Sequence, residues 1–530
     1  MPHPPMHCHS YPLLTVRWLA LLVLAGAAQT SGAAPFLEAG RPTSAAHQAV
    51  AVLADASAEG LLPQDYNAQK LAQAVRDADQ GAPLGAGTAE QLDAALTTAL
   101  HRYLGDLHSG RIDPRQVHAD FTVQPLKRFD PVTYLDTALD SPQFAQAMRS
   151  AAPLLPLYAN LRNALAQYRG LVGHSAWANP PPALPQGKLA LGQSWPGLAQ
   201  LTERLVALGD LPDDTQPPPT YDSVLQDGIK AFQERHALAA DGVLGKNTLA
   251  QLAVTPAERV QQIGLAMERL RWTPLQQAPR MIVVNIPEFV LRAYEWQNAK
   301  PFVQLTMNVI VGTSRDWRTP LFDEDMRFIE FSPYWNVPPS IARSETVPRL
   351  RRDPAYFQRQ GFEFVGANGQ VTTTLSNENL NAVLSGQLRI RQRPGPQNAL
   401  GDIKFVLPNS NNIFLHHTPS PQMFERDRRD LSHGCVRVEE PVALAQFVLQ
   451  DDPAWTPERI RKAMGQGKSS TIRLATPLPV LFAYSTTMVK NGKVHFFADI
   501  YGNDRLLEQA LRQQPRLRQT APQATPLNPR

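Results

Sequence analysis

The sequence predicts a multidomain α+β protein: a helical N-terminal scaffold, a small three-helix module, and a mostly β domain with an inserted capping segment. Three observations carry this. The chain has 530 residues, and at about 150 residues per domain that is three or four domains. Apolar residues recur at three and four positions between roughly 35 and 175, the helical period. From about residue 280 they recur at every second position, the strand period. Hydrophobic residues make up 43% and charged residues 18%, which excludes global disorder and a polytopic membrane protein. The 48 prolines are about twice the usual share and imply many loops and linkers. The net charge of +4 gives no reason to expect a nucleic-acid partner.

Residues 1–33 read as a signal peptide. Arg17 precedes an apolar run of 11 residues from Trp18 to Ala28. A bilayer takes about 20, so the run is too short to span one. Ser31-Gly32-Ala33 offers a small-x-small cleavage site. Cleavage implies an exported protein, whereas an uncleaved run would anchor it to the membrane. Of the two cysteines, Cys8 would leave with the signal, so the mature chain keeps Cys435 alone. A lone thiol in an oxidising compartment is either reactive or a small buried core residue.

Residues 35–180 form the helical region, with Ala46, Val50 and Leu53, then Leu92, Ala95, Leu96 and Leu100, at helical spacing. Asn179-Pro180-Pro181-Pro182 marks a linker. Residues 188–255 form the three-helix module. Leu198, Leu201, Leu205 and Leu208 share one face, and a second helix over Tyr221 to His236 points Val224, Ile229 and Phe232 inward. A third short helix carries Leu249 and Leu252. Residues 279–475 form the β domain. Leu305, Met307, Val309 and Val311 alternate with Thr306, Asn308 and Ile310, and further strand-like runs lie at 328–331, 403–407 and 412–416. Residues 340–390 differ: polar, partly helical and dense in Arg, they suit an insertion that caps one face. A hairpin around Asn491-Gly492 and a helix occupy 476–513, and the proline-containing stretch 514–530 reads as a disordered tail.

The chemistry concentrates around Cys435. It lies in Ser432-His433-Gly434-Cys435-Val436-Arg437, 19 residues after His416. A thiolate is a strong nucleophile, and a nearby imidazole can take the thiol proton and later protonate a leaving amine. His416 ends a predicted strand, and a strand returning beside it would bring Cys435 close. Gly434 permits close backbone approach, and the amides around Cys435 can serve an oxyanion. Arg426, Arg428, Arg429 and Arg437 make the loop basic, which would favour a thiolate and an anionic ligand. Two alternatives stand beside this: a buried structural His, and a zinc site drawn from His416, His417, His433 and Cys435. The zinc reading lacks a second thiol and a completing carboxylate pattern.

Two resemblances extend the reading. Leu208-Gly209-Asp210, Tyr221-Asp222, Phe232-Gln233-x-Arg235-His236 and Asp241-Gly242-Val243-Leu244-Gly245 with Thr248 resemble the peptidoglycan-binding repeat module; the alternative is a three-helix spacer. Ser432-His433-Gly434-Cys435-Val436-Arg437 with upstream His416 resembles the signature of L,D-transpeptidases, the cysteine enzymes of bacterial wall cross-linking. Val309-Ile310-Val311-Gly312 with Thr319-Pro320, the 333–339 stretch Pro-Tyr-Trp-Asn-Val-Pro-Pro, and Arg393-Pro394-Gly395-Pro396 with Asn398-Ala399-Leu400-Gly401 resemble the large, scaffold-bearing Gram-negative branch. Leu62-Pro63-x-Asp65-Tyr66 and Tyr103-Leu104-Gly105-Asp106-Leu107 fit its scaffold.

The resemblance implies a periplasmic enzyme that forms 3→3 cross-links through a Cys435 acyl-enzyme. The donor would be a tetrapeptide stem, the acceptor an amine of another stem, with glycan strands as further partners. His416 would be the base. His433, Ser432, Gly434 and Arg437 would support the site, and Trp335, Asn336 and His417 would line the substrate cleft. No metal or organic cofactor is implied, and carbapenems are expected to acylate the cysteine. The chain departs from the family at His417, where Asp is usual. The same acyl-enzyme would also serve an L,D-carboxypeptidase or protein attachment to the wall. A wall-binding protein with an inactive domain is the non-enzyme alternative.

Overall fold

The computed structural model describes residues 35–118, 121–122, 129–273, 278–298 and 300–520. The expected signal peptide, with Cys8, lies outside the described residues, as does 521–530. Among the described residues no helix is long and apolar enough to cross a membrane.

The N-terminal region is helical, as its periodicity predicts. Helices Ser44–Ala54, Ala68–Gln80, Ala86–Ser109, Pro131–Leu139 and Phe144–Arg149 close around Leu53, Tyr66, Leu96, Leu100 and Tyr103. Local caps set their starts: the Thr43 hydroxyl accepts from the Ala46 amide, and Asp130 accepts from the Val132 amide ahead of Pro131. Helix Pro156–Gly170 instead packs Tyr158, Leu161 and Leu165 against Ile263, Ala266 and Met267 of helix Pro256–Arg271. The sequence reading assigns no element to 256–278. Yet Thr255 and Glu258 form a capping box there, with Pro256 at the first helical position.

The module contains helices Leu198–Ala207, Ser223–Arg235 and Lys246–Ala253 around Leu201, Leu205, Ile229, Phe232 and Leu252. Val224 is 49% exposed rather than inward. Asp222 caps the second helix at the Leu225 amide, so Leu225, Ile229 and Phe232 make the buried face and Val224 lies off it.

The C-terminal half is built on a nine-stranded sheet. Its strands run, in spatial order, Asp430–Ser432, Lys300–Gly312, Val436–Val438, Leu415–His416, Ile403–Val406, Phe322–Phe331, Ser470–Ala483, Arg280–Asn285 and Val290–Gln297. Val290–Gln297 also pairs with Lys300–Gly312, so the sheet closes on itself. Alternate residues, among them Ile282, Leu291, Val309, Ile329, Phe405, Leu415 and Val436, fill the interior.

Three expected boundaries change. Ser470–Ala483 is one strand of the main sheet, so a division at 475/476 cuts an element whose partners are Phe322–Phe331 and Arg280–Asn285. The hairpin around Asn491-Gly492 is Thr487–Lys490 with Lys493–Phe496; both turn residues have positive φ, 50° and 76°. The last helix is Asn503–Thr520, so the tail does not begin at 514. The inserted segment is wider than 340–390. Strands Val371–Thr372, Phe362–Gly366, Leu388–Gln392 and Trp335–Asn336 form a separate sheet, and its helices close a separate core around Val347, Leu350, Phe357 and Phe364.

Candidate active site

Two short parallel strands position His416 and Cys435. Leu415 pairs with Val436 and His416 with Arg437, and the Val436 amide donates to the Phe414 carbonyl at 3.1 Å. Leu415, Val436 and Val438 point into the core. By alternation Phe414 and His416, and Cys435 and Arg437, face the opposite side. There they line a cleft of about 910 Å³. His433, Ser432, Gly434, Trp335 and Asn336 line the same cleft. His417 does not. Its Nδ1 lies 3.6 Å from Asp402, and it packs so closely on Gly401 that a Cβ there would meet Nδ1 at 2.6 Å. The expectation that His417 lines the substrate cleft is corrected: it follows His416 and therefore takes the other face.

The turn before Cys435 is held from three sides. Gly434 has φ +105°, a conformation that suits glycine. The Ser432 hydroxyl accepts from the Gly434 amide at 3.2 Å and donates to the Cys435 carbonyl at 2.5 Å. The Thr319 hydroxyl donates to the Gly434 carbonyl at 2.7 Å and accepts from the Gly312 amide at 2.9 Å. The Tyr501 hydroxyl donates to the Gly312 carbonyl at 2.6 Å and accepts from the Thr319 amide at 3.2 Å. Gly312 must be glycine, because a Cβ would sit 1.8 Å from the Trp317 carbonyl oxygen. Thr319 is present in the sequence reading only as part of a resemblance. Tyr501 has no local signal, since it reaches the site across 182 residues.

The electrostatics differ from the basic-loop expectation. Dense packing around the half-buried Cys435 pushes its thiol up to about 11, against weaker opposing effects of the Phe414 amide, Lys404 and Arg437. Burial, helped by Arg437, pushes His416 down to about 3. The resting pair is a neutral thiol and a neutral imidazole, not a thiolate and an imidazolium. Arg428 is taken by Asp430 at 2.6 Å, and Arg429 bonds Asn308 and the Val309 and Phe289 carbonyls. Arg437 remains in the cleft with one contact from Nη1, the Met423 sulfur at 3.3 Å; its buried Nε has no partner among the described residues.

The hydrogen bonds fix the roles open to each group. His416 Nδ1 donates to the His417 carbonyl at 2.5 Å, so Nε2 is the unprotonated nitrogen of the neutral ring. At rest the Cys435 thiol donates to the Asn412 carbonyl at 3.5 Å. His433 turns Nε2 toward Glu345, at 2.7 Å, and its ring meets Trp317 edge-on at 5.2 Å. His433 is thus held by Glu345, and His417 faces Asp402 outside the cleft. Among the described residues no group of three or more His, Cys, Asp or Glu side chains could hold a metal ion.

Comparison with known proteins gives three family matches. Residues 279–457, which include His416 and Cys435, match the "L,D-transpeptidase catalytic domain". Residues 28–165 match a "Scaffold domain" and 196–252 a "Putative peptidoglycan binding domain". A Haemophilus influenzae protein named "Putative L,D-transpeptidase" is 30% identical over 279 residues, 52% of this chain and 55% of that protein. The match thus spans about half of that relative. A solved L,D-transpeptidase fragment from Xylanimonas cellulosilytica is 15% identical, covering 57% of this chain and 100% of that one, with a TM-score of 0.18. A fused Zn-dependent amidase/peptidase and peptidoglycan-binding protein from Clostridium acetobutylicum is 12% identical, covering 26% and 69%, with a TM-score of 0.12. Neither score supports an argument. The catalytic-domain match and the named relative agree on one likeness: this chain is similar to L,D-transpeptidases, with residues 279–457 matching their catalytic domain.

Proposed function

We propose that this protein is a cysteine L,D-transpeptidase that forms 3→3 cross-links in peptidoglycan outside the cytoplasmic membrane. What supports the reading is that Cys435 and His416 stand on adjacent parallel strands and line one cleft, with His416 Nδ1 donating to the His417 carbonyl so that Nε2 is the nitrogen left to accept a proton. The thiol is neutral at rest, so deprotonation accompanies attack. His416 takes the Cys435 proton as sulfur adds to the carbonyl carbon of the third stem residue. The C–N bond to the terminal D-alanine then breaks, and the His416 proton goes to the departing amine. The thioester so formed is attacked by the side-chain amine of a second stem, which gives a proton to His416. Collapse forms the amide and returns the proton to the Cys435 sulfur.

In this reading Arg437 meets a donor carboxylate, since a guanidinium in the cleft whose buried Nε has no partner among the described residues suits an anion. Trp335 and Asn336 would line the bound donor's cleft. His416, Cys435 and the backbone turn supply the acid, base and nucleophile, so the scheme calls on no cofactor. The module at 188–255 would position glycan strands. Release of the acyl group to water would make a carboxypeptidase, and release to a protein amine would attach that protein to the wall. Incubating the full chain with defined disaccharide-tetrapeptides and weighing the products tests the proposal. A dimer that has lost one D-alanine is expected. A shortened monomer alone would make it a carboxypeptidase, and no product would leave a wall-binding protein.

A further inference from the structure

A polar pair, His433 Nε2 and Glu345 Oε1 at 2.7 Å, joins the inserted segment to the loop that carries Cys435. The two residues are 88 positions apart, Glu345 within the inserted segment and His433 beside the strands of the main sheet. Glu345 sits in a π-helical turn, Ala342–Thr346, between helices Pro339–Ile341 and Val347–Arg352. Such turns are rare, and they are frequent at functional sites. Ala342 and Thr346 of the turn are buried, so the insert's packing fixes where Glu345 stands. On the other side, His433 meets the Trp317 edge, and Trp317 itself packs on the insert's core. The ring two residues before Cys435 is therefore aimed by the insert rather than by its own strand.

We infer that Glu345 is a positioning residue: through His433 it sets the conformation of the Cys435 loop and ties the insert to it. This rests on the proposed function for its role in turnover, but the contact can be tested without it. Glu345 accepts from Nε2–H, which leaves Nδ1 as the unprotonated nitrogen of a neutral His433. The pair is partly exposed, and exposed pairs contribute little to folding. A loss of turnover without a loss of stability would thus report positioning.

The test compares the full-length parent with Glu345→Ala, Glu345→Gln, His433→Ala and the Glu345→Ala/His433→Ala double variant. Turnover of a disaccharide-tetrapeptide is resolved into kcat and KM. Glu345→Ala is expected to lower kcat about tenfold with a smaller change in KM, the low end of what removing a partner that orients a histidine costs at metal sites. Glu345→Gln, whose amide oxygen still accepts from Nε2–H, should recover most of it. The double variant should be no worse than His433→Ala alone. Glu345→Ala at the parent rate, or losses that multiply in the double variant, would overturn the inference. A second readout is independent of turnover: the rate at which diethyl pyrocarbonate modifies His433, followed by peptide mass spectrometry with His47 as internal reference. Glu345→Ala should raise that rate several-fold and Glu345→Gln should leave it near the parent. Equal rates in all three would overturn the inference even if the parent turned over no muropeptide, and a raised rate in an inactive parent would support the contact while the proposed function fails.

Discussion

At the residue scale the site is a neutral pair, and that changes its expected pH behaviour. An imidazole held near 3 stays an available base at every pH above that value. Acylation by the parent should therefore hold level from about pH 5 to 9 instead of falling near 6.5, the usual histidine range. His416→Ala should cost about 10²–10⁴-fold, the usual worth of a general base. Because burial holds the thiol near 11, alkali should begin to rescue that variant only as the pH approaches 11, not near the 8.5 of a free thiol. Stopped-flow acylation rates against pH check both statements. Gly434→Ala would hold an L side chain at φ +105°, with its Cβ 3.3 Å from Ile413 Cδ1. It should destabilise the protein by about 1–3 kcal/mol and slow acylation, read by denaturant melts and the same rate assay. That Cys435 and His416 come together was legible in the sequence, because a strand returning beside His416 would bring Cys435 close. Their protonation was not legible, since burial depends on the surrounding fold. Nor was the fate of Arg428 and Arg429, which meet Asp430 and strand carbonyls instead of the cleft.

At the scale of elements, two strands of two and three residues, Leu415–His416 and Val436–Val438, put Cys435 and His416, the proposed nucleophile and base, on one face. Their alternation was readable, because the core-facing residues Leu415, Val436 and Val438 are apolar. Their adjacency was expected from the 19-residue return to Cys435, but its parallel direction was not, since local alternation does not set strand direction. The same limit applies to the Ser470–Ala483 strand, which local punctuation divides and the sheet unites. Thr319 links the end of strand Lys300–Gly312 to the turn before Cys435. Thr319→Val keeps the shape but leaves the Gly434 carbonyl and the Gly312 amide without that partner. It should cost about 1–3 kcal/mol. Acylation should slow with KM for the donor little changed, as measured by thermal melts and steady-state kinetics.

At the scale of the whole molecule, the module is fastened to the catalytic half. The His236 ring stacks on Phe496 at 5.5 Å, and the Arg259 guanidinium lies 4.2 Å from the Phe496 ring centroid. Phe496 belongs to the Thr487–Lys490/Lys493–Phe496 hairpin, whose residues also pack on helices Pro156–Gly170 and Pro256–Arg271. Phe496→Ala should cost about 3–5 kcal/mol, as for large buried aromatics. Limited proteolysis should then cut more readily near residues 253–280. The domain order was readable from composition and periodicity, but this junction was not, because Phe496 stands 260 positions from His236. The central claim is that Cys435 forms an acyl-enzyme with a stem peptide. Its most direct test is acid-quenched mass spectrometry of the full chain mixed with a tetrapeptide donor. The account predicts an adduct equal to the donor less D-alanine, on the peptide that contains Cys435 and absent from Cys435→Ala. An adduct on another residue, or release of D-alanine by Cys435→Ala at the parent rate, would contradict it.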